Sequence, residues 1–338
     1  MLRADDVGAA GRSRGRRSRS VERGEVGRAG SRGALAGIQR ARMIAALVEV
    51  ARERGAGEVT VAHIVARSGV SRRTFYELFT DRETCFLAAF EEAVQRAALR
   101  VVPAFSASGS WRERVRGALG ALLEFLEDEP GLGALCVVDA LGAGPLVLER
   151  RARVVEVLIE AIDEGRGEVL RGARPTRLTA ECVVGAILAV LHARLAAGST
   201  DSMSGLLGPL MATLVLPYQG QAAAAREAAK SARRRGPASP SLSDPLRELD
   251  MRLTYRTVQV LLAIAAHPGA SNRQVADAAD VTDQGQISKL LARLEHLGLT
   301  HNTATGSNTR GEPNAWTLTP TGWQIEQTIN QQAEPIAR

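Results

Sequence analysis

Between Glu58 and Ala89 the chain reads EVTVAHIVARSGVSRRTFYELFTDRETCFLAA, and the Gly69-Val70-Ser71 turn at its centre leaves few folds open. Before the turn, Val61, Ile64 and Val65 fall on one helical face behind Thr60, a good N-cap. Glycine at 69 takes a backbone conformation that a side-chain-bearing residue resists, so the first helix stops there. Ser71 caps a second helix that points Phe75, Leu78 and Phe79 inward and carries Arg72, Arg73, Thr74 and Tyr76 outward. Thr80-x-x-Glu83 reads as a capping box that opens a third. A short helix showing Ser, Arg, Arg, Thr and Tyr to solvent has the chemistry of a major-groove reader.

Ahead of this stretch, Ile38 to Arg54 is amphipathic, with Ile38, Met43, Ile44, Leu47, Val48 and Ala51 on one stripe and Gly55 as its stop. The connected pattern resembles the TetR family of transcriptional regulators. It is carried by Thr60-Val61-x-x-Ile64-Val65-Ala66, Gly69-Val70-Ser71, Thr74-Phe75-Tyr76-x-x-Phe79 and Arg82-Glu83. Family members often have Gly where Arg73 stands, and usually Lys where Arg82 stands. The resemblance implies that Tyr76 and Arg82 hold phosphates and that Thr60, Ser71, Arg72, Arg73 and Thr74 face bases or backbone.

Residues 86–220 read as further helices. Ser110-x-x-Glu113 is a capping box before Val115, Leu119, Leu122, Leu123 and Leu126, and Val154, Val155, Leu158, Ile159 and Ile162 repeat the spacing. Nearly all-round apolar helices are expected over roughly 176–197 and 202–217. In the resembled family this half senses a small molecule and dimerises through its last two helices. The expected partners are therefore double-stranded DNA, a second copy of the chain and an unidentified effector. Trp111, Phe105, Phe125, Cys136, Asp139 and His192 are candidate pocket residues, core filling being the plainer reading of each.

Net charge helps only when divided along the chain. Of the formal +6, residues 1–33 hold nine arginines against four acids, and residues 221–240 hold five bases against one acid. Residues 1–33 lack the large apolar residues needed to repay ordering, so a disordered basic arm is expected. Residues 221–243 read as an Ala-rich helical extension running into a Pro/Ser linker, with Arg233-Arg234-Arg235 as a solvated charge run.

Residues 244–338 form a further expected domain. Asp244-Pro245 starts a helix, Leu246, Leu249 and Leu253 stripe it, Ser271-x-x-Gln274 is a capping box, and Thr282 caps QGQISKLLARLEHLGL. A Thr-rich hairpin with Asn308, Arg310 and Gly311 at its tip follows. The order resembles a winged helix of the MarR type, which would put Gln284, Gln286, Ser288, Lys289 and Arg310 on DNA.

The expectation is a mainly α protein in five segments. These are a basic arm (1–33), a three-helix helix-turn-helix domain (34–85), an all-α ligand and dimerisation domain (86–220), a linker (221–243) and a winged helix with a small β-hairpin wing (244–338). The function expected is a ligand-responsive repressor binding palindromic DNA as a homodimer. The alternative is a ligand-independent architectural protein that bridges DNA with two different modules. An enzyme is not expected, because His63, His192, His267, His296 and His301 lack paired metal spacing and no phosphate loop or nucleophile motif is present. No cofactor or metal is expected either. Cys85, Cys136 and Cys182 are odd in number and widely spaced, which fits a reducing cytoplasm. The longest apolar run, Cys182 to Leu191, is too short to span a bilayer, so no membrane association is expected.

Overall fold

The computed structural model describes residues 33, 35–169, 174–198, 202–230, 255–281, 283–306 and 314–333. Outside them lie the basic arm up to residue 32, Arg233 to Arg235, and the helix start at Asp244-Pro245 with its leucine stripe. Thr282, Asn308, Arg310 and Gly311 lie outside them too. The chain divides into two compact units, one of residues 43–244 and one of residues 1–42 with 245–338.

Helix α1 covers residues 35–54, and its residues 43–54 belong to the first unit. The helices that follow in this unit are α2 (Val61–Ser68), α3 (Arg72–Leu78), α4 (Arg82–Phe105), α5 (Trp111–Asp128), α6 (Pro130–Val137), α7 (Pro145–Asp163), α8 (Arg177–Ala196) and α9 (Leu207–Ala228). Local chemistry sets most of their ends. Thr60 Oγ1 accepts from the His63 amide at 3.2 Å, and Ser71 Oγ accepts from the Thr74 amide at 3.1 Å. Gly69 is left-handed, with φ 65°, and closes α2. The Ser110–Glu113 box opens α5 as expected.

At α4 the cap is one residue later than the sequence suggests. Asp81, not Thr80, is the N-cap, and its box partner is Thr84. The Thr84 amide donates to Asp81 Oδ1 at 2.8 Å, while the Asp81 amide donates to Thr84 Oγ1 at 3.2 Å. Glu83 is thereby released to a different partner, described below.

Two cores fill this unit. One gathers Met43, Ile44, Leu47, Ile64, Phe75, Phe79, Phe86 and Phe90, and it is sealed by Leu135, Ala140, Ala143 and Val147 from beyond α5. The apolar packing of the three-helix head thus reaches beyond residue 85. Its apolar core continues into α6, α7 and the turn Asp139–Gly142 between them. The other core holds Trp111, Val115, Leu119, Leu123, Ile162, Val184, Ile187, Leu191, Met211 and Leu214.

By length and composition α8 alone among the described residues could cross a membrane, with mean hydropathy 1.6 over 18 residues. The shorter run 182–191 lies within this helix. Its Val183, Val184, Ile187 and Leu191 pack into the core just described, while Leu178 and Val190 are exposed. Helix α9 runs past Pro217, breaks at Gly220 and resumes. Its last turns are docked, for Ala223, Ala224 and Glu227 are buried.

The second unit contains α10 (Tyr255–Ala266), α11 (Asn272–Ala278), α12 (Gln284–His296), β1 (Thr300–Asn302), β2 (Trp316–Leu318) and α13 (Pro320–Ala333). The strands pair antiparallel, Thr300 with Leu318 and Asn302 with Trp316, and Ala270 adds a single bridge to Trp316. Ser271 and Gln274 form the expected capping box on α11, but Asp283 is the cap of α12. Val258, Leu261, Ile264, Ile287, Leu291, Leu294, Trp316 and Ile329 make the core, and Ile38 is fully buried among them. Ile38 thus does not continue the stripe of Met43 and Ile44 into their core.

Candidate nucleic-acid interface

Helix α3 is short and is held by one buried ring. Phe75 is fully buried, Tyr76 meets it edge-on at 5.4 Å between centroids, and Phe79 packs beside it at 5.5 Å. With that face spent on the core, Ser71, Arg72, Arg73 and Tyr76 stand in solvent, Tyr76 with half of its surface open. Arg73 has 89% of its side chain exposed and one ion pair, to Glu77 at 2.9 Å. Thr74 is half-buried, and its hydroxyl lies 2.8 Å from that of Ser71. Thr60 is exposed at the head of α2. Six of the seven residues expected here, all but Arg82, thus sit on α3, its cap or the cap of α2.

Arg82 is placed elsewhere. Its guanidinium is half-buried and donates to the carbonyls of Ala56 at 2.9 Å, Gly57 at 3.4 Å, Val59 at 3.5 Å and Ala143 at 3.1 Å. These bonds tie the loop before α2 to the turn before α7, away from α3 and the two caps that carry the other six residues. Glu83 continues the link, for its carboxylate accepts from the Leu146 amide at 2.6 Å and so caps α7 from another helix. Gly144 stands between them with φ 134°, and a Cβ there would collide with the Glu83 carboxylate. Glycine is required at that position on both counts.

Arg67 is a residue that sequence reasoning passed over. It forks onto Glu53, with bonds of 2.9 and 2.7 Å, and reaches Glu49 at 2.9 Å. These hydrogen bonds raise the Arg67 pKa and lower that of the Glu53 carboxyl. The pairing fastens α2 to α1. Its residues are 14 and 18 positions apart, so no local pattern announces it.

In the second unit, Gln284, Gln286, Ser288 and Lys289 are exposed on the first two turns of α12. Two of the four are engaged. Gln286 Oε1 accepts from Arg256, and Ser288 Oγ donates to the Gln284 carbonyl at 3.0 Å while accepting from Asn272 Nδ2 at 3.2 Å. Asn272 Oδ1 in turn accepts from Trp316 Nε1 at 2.6 Å and from Asn314 Nδ2 at 2.9 Å, binding α11 to the strands. Gln284 and Lys289 are left as the exposed polar ends of this helix.

A cavity of about 190 Å³ lies inside the helical body of the first unit. Its walls are Val101, Val102 and Phe105 of α4, Val115, Ala118, Leu119 and Leu122 of α5, Val157, Leu158, Ala161 and Ile162 of α7, Val184, Ile187, Leu188 and Leu191 of α8, and Leu214 of α9. Of the six pocket candidates from sequence, Phe105 alone lines it. Trp111 donates to the Ala161 carbonyl at 3.0 Å and packs on Tyr218. Phe125 is buried in the core with Arg100 over its ring. Burial pushes the Cys136 thiol up to about 12, so it stays protonated. Burial also raises the Asp139 carboxyl, although the Ala56 amide donates to it. His192 is half-buried.

Residues 43–89 match the family model described as bacterial regulatory proteins, tetR family. Among solved structures, the fatty acid degradation regulator FadR from Bacillus halodurans is 17% identical over 52% of this chain and 96% of its own, with a TM-score of 0.46. FadR from Bacillus subtilis, in complex with stearoyl-CoA, is also 17% identical over 53% of this chain and 97% of its own, with a TM-score of 0.46. A TetR-like transcriptional regulator from Rhodococcus sp. RHA1 is 22% identical over 53% of this chain and 94% of its own, with a TM-score of 0.43. No curated protein matches the chain.

Proposed function

We propose that the chain is a homodimeric, ligand-responsive repressor of transcription that reads palindromic DNA in the cytoplasm through α3. The observation that carries this reading is the division of α3 into a ring-anchored face and a face of Ser71, Arg72, Arg73 and Tyr76 left to solvent. The tetR-family match over residues 43–89 covers this same head. Arg72 and Arg73 supply forked donors for guanine edges or phosphates, and Tyr76 supplies a hydroxyl.

Helix α4 gives the proposed sensing its physical route. Its first residue, Arg82, grips the loop that precedes α2, and its last turns place Val101, Val102 and Phe105 in the cavity wall. A ligand that fits the cavity better in one setting of α4 than in another shifts the head by that difference in affinity. Dimerisation through α8 and α9 is supported by their open apolar faces, which include Leu178 and Val190 on α8 and Leu216 on α9.

A second reading rests on the other unit. Residues 255–333 follow the helix, helix-turn-helix, hairpin, helix order of a winged helix, and Gln284 and Lys289 stand exposed on α12. That module would let a dimer bridge two DNA segments. One experiment addresses both readings. The full chain and a form ending at Gly236 are footprinted on DNA selected from a random pool, and each is tested for joining two fragments. The first reading expects a symmetric footprint, with half-sites about 34–36 Å apart, that survives the truncation. Loss of the footprint on truncation overturns it. Loss of fragment joining alone establishes the second reading beside the first.

A further inference from the structure

The walls of the cavity restrict what it can hold, on the reading that the helical body is a sensor. All sixteen lining residues are apolar, and the deepest of them, Leu191 and Leu214, are 0% and 1% exposed. A charged or hydrogen-bonding group placed there would lose water and find no partner. The size is restrictive too. An apolar cavity of about 150 Å³ stays dry and accepts benzene, and this one measures about 190 Å³. Two lining residues are exposed, Val102 on α4 at 56% and Val157 on α7 at 62%, so the cavity opens between these helices.

We propose that the cavity takes the hydrocarbon part of its ligand, a single ring with a short alkyl arm or a short alkyl chain, entering between Val102 and Val157 with any polar group left outside. The selectivity comes from shape and desolvation alone. Each methylene that reaches the interior tightens binding about fourfold until the space is full.

The test uses the full-length chain and alkylbenzenes from ethylbenzene to hexylbenzene, the binding of each measured directly by titration calorimetry. Affinity is expected to climb about fourfold per methylene and then level off. Ala118→Leu and Ala161→Leu, each of which fills the space from a different helix, are expected to abolish binding without lowering the melting temperature. A flat series, or undiminished binding in whichever filled variant keeps its melting temperature, overturns the proposal. DNA affinity is measured in the same samples. If alkylbenzenes bind and DNA affinity does not change, the sensing reading fails and the ligand class stands. If alkylbenzenes do not bind while polar small molecules still release DNA, the ligand class fails and the sensing reading stands.

Discussion

The guanidinium of Arg82 donates to the carbonyl of Ala143 at 3.1 Å, across 61 positions of sequence, while another of its nitrogens holds Ala56. The adjacent Glu83 accepts from the Leu146 amide. Two consecutive residues at the start of α4 therefore join the head to the turn and helix that follow α6.

Removing this joint distinguishes a structural cation from a phosphate ligand. Arg82→Ala is expected to cost about 1–3 kcal/mol of stability, because buried carbonyls lose a charged donor. The salt dependence of DNA binding is expected to keep its slope, whereas a lost phosphate contact would lower the slope by roughly one unit. Chemical unfolding and fluorescence anisotropy over a salt series check the two halves.

Arg73→Ala should behave in the opposite way. Its ion pair with Glu77 is exposed, so stability is expected to change by no more than about 0.5 kcal/mol. Discrimination at one base pair is expected to relax by about 1–3 kcal/mol. Binding to single-substituted DNA sites, before and after mutation, checks this. A uniform weakening on every site would mean that Arg73 only touches phosphate.

Glu227 has 1% of its side chain exposed and is met by Arg116 at 2.7 Å and Lys230 at 2.6 Å, with Arg112 at 3.5 Å. Burial alone would raise its pKa, but Lys230 and Arg116 outweigh that and hold it below the usual carboxylate value. The pair of cations therefore adds stability above the ordinary carboxylate pKa, and this is lost as pH falls through the depressed value. Glu227→Ala leaves the partly exposed cations without their partner and is expected to cost about 1–3 kcal/mol near neutral pH. Urea unfolding at neutral and acidic pH measures both statements.

Asp139 has the reverse sign. Burial raises its folded pKa, so the folded state binds a proton more tightly than the unfolded chain does. Stability from this group is present below the ordinary aspartate value and declines as pH rises through the raised one. Asp139→Asn keeps an acceptor for the Ala56 amide and removes the buried charge. The variant is expected to be more stable than the parent at pH 7 and equal to it below about pH 4. Thermal unfolding across that range checks the crossover.

What could be read from the chain followed the range of the forces involved. Ser71 on Thr74, Ser110 on Glu113 and Ser271 on Gln274 bond across three residues, so their caps stand where the sequence places them. The 3.6-residue spacing likewise located Phe75 and Phe79 inside and Arg73 outside. Where two local solutions overlapped, sequence chose wrongly. Thr80 with Glu83 and Asp81 with Thr84 both suit a capping box. The tie was broken by the Leu146 amide, 63 positions away, which claims the Glu83 carboxylate.

Element type, order and the outward face of α3 were thus determined by the sequence itself, through bonds and periodicities spanning a few residues. Tertiary structure alone decided that Arg82 binds carbonyls, that Arg67 fastens α2 to α1, and that α6 and α7 seal the core of the head. It alone decided, too, which apolar side chains surround a cavity instead of filling it. Each of these depends on groups that the chain brings together only on folding. Charge and apolar area say what a residue can do, and the partner it meets decides what it does.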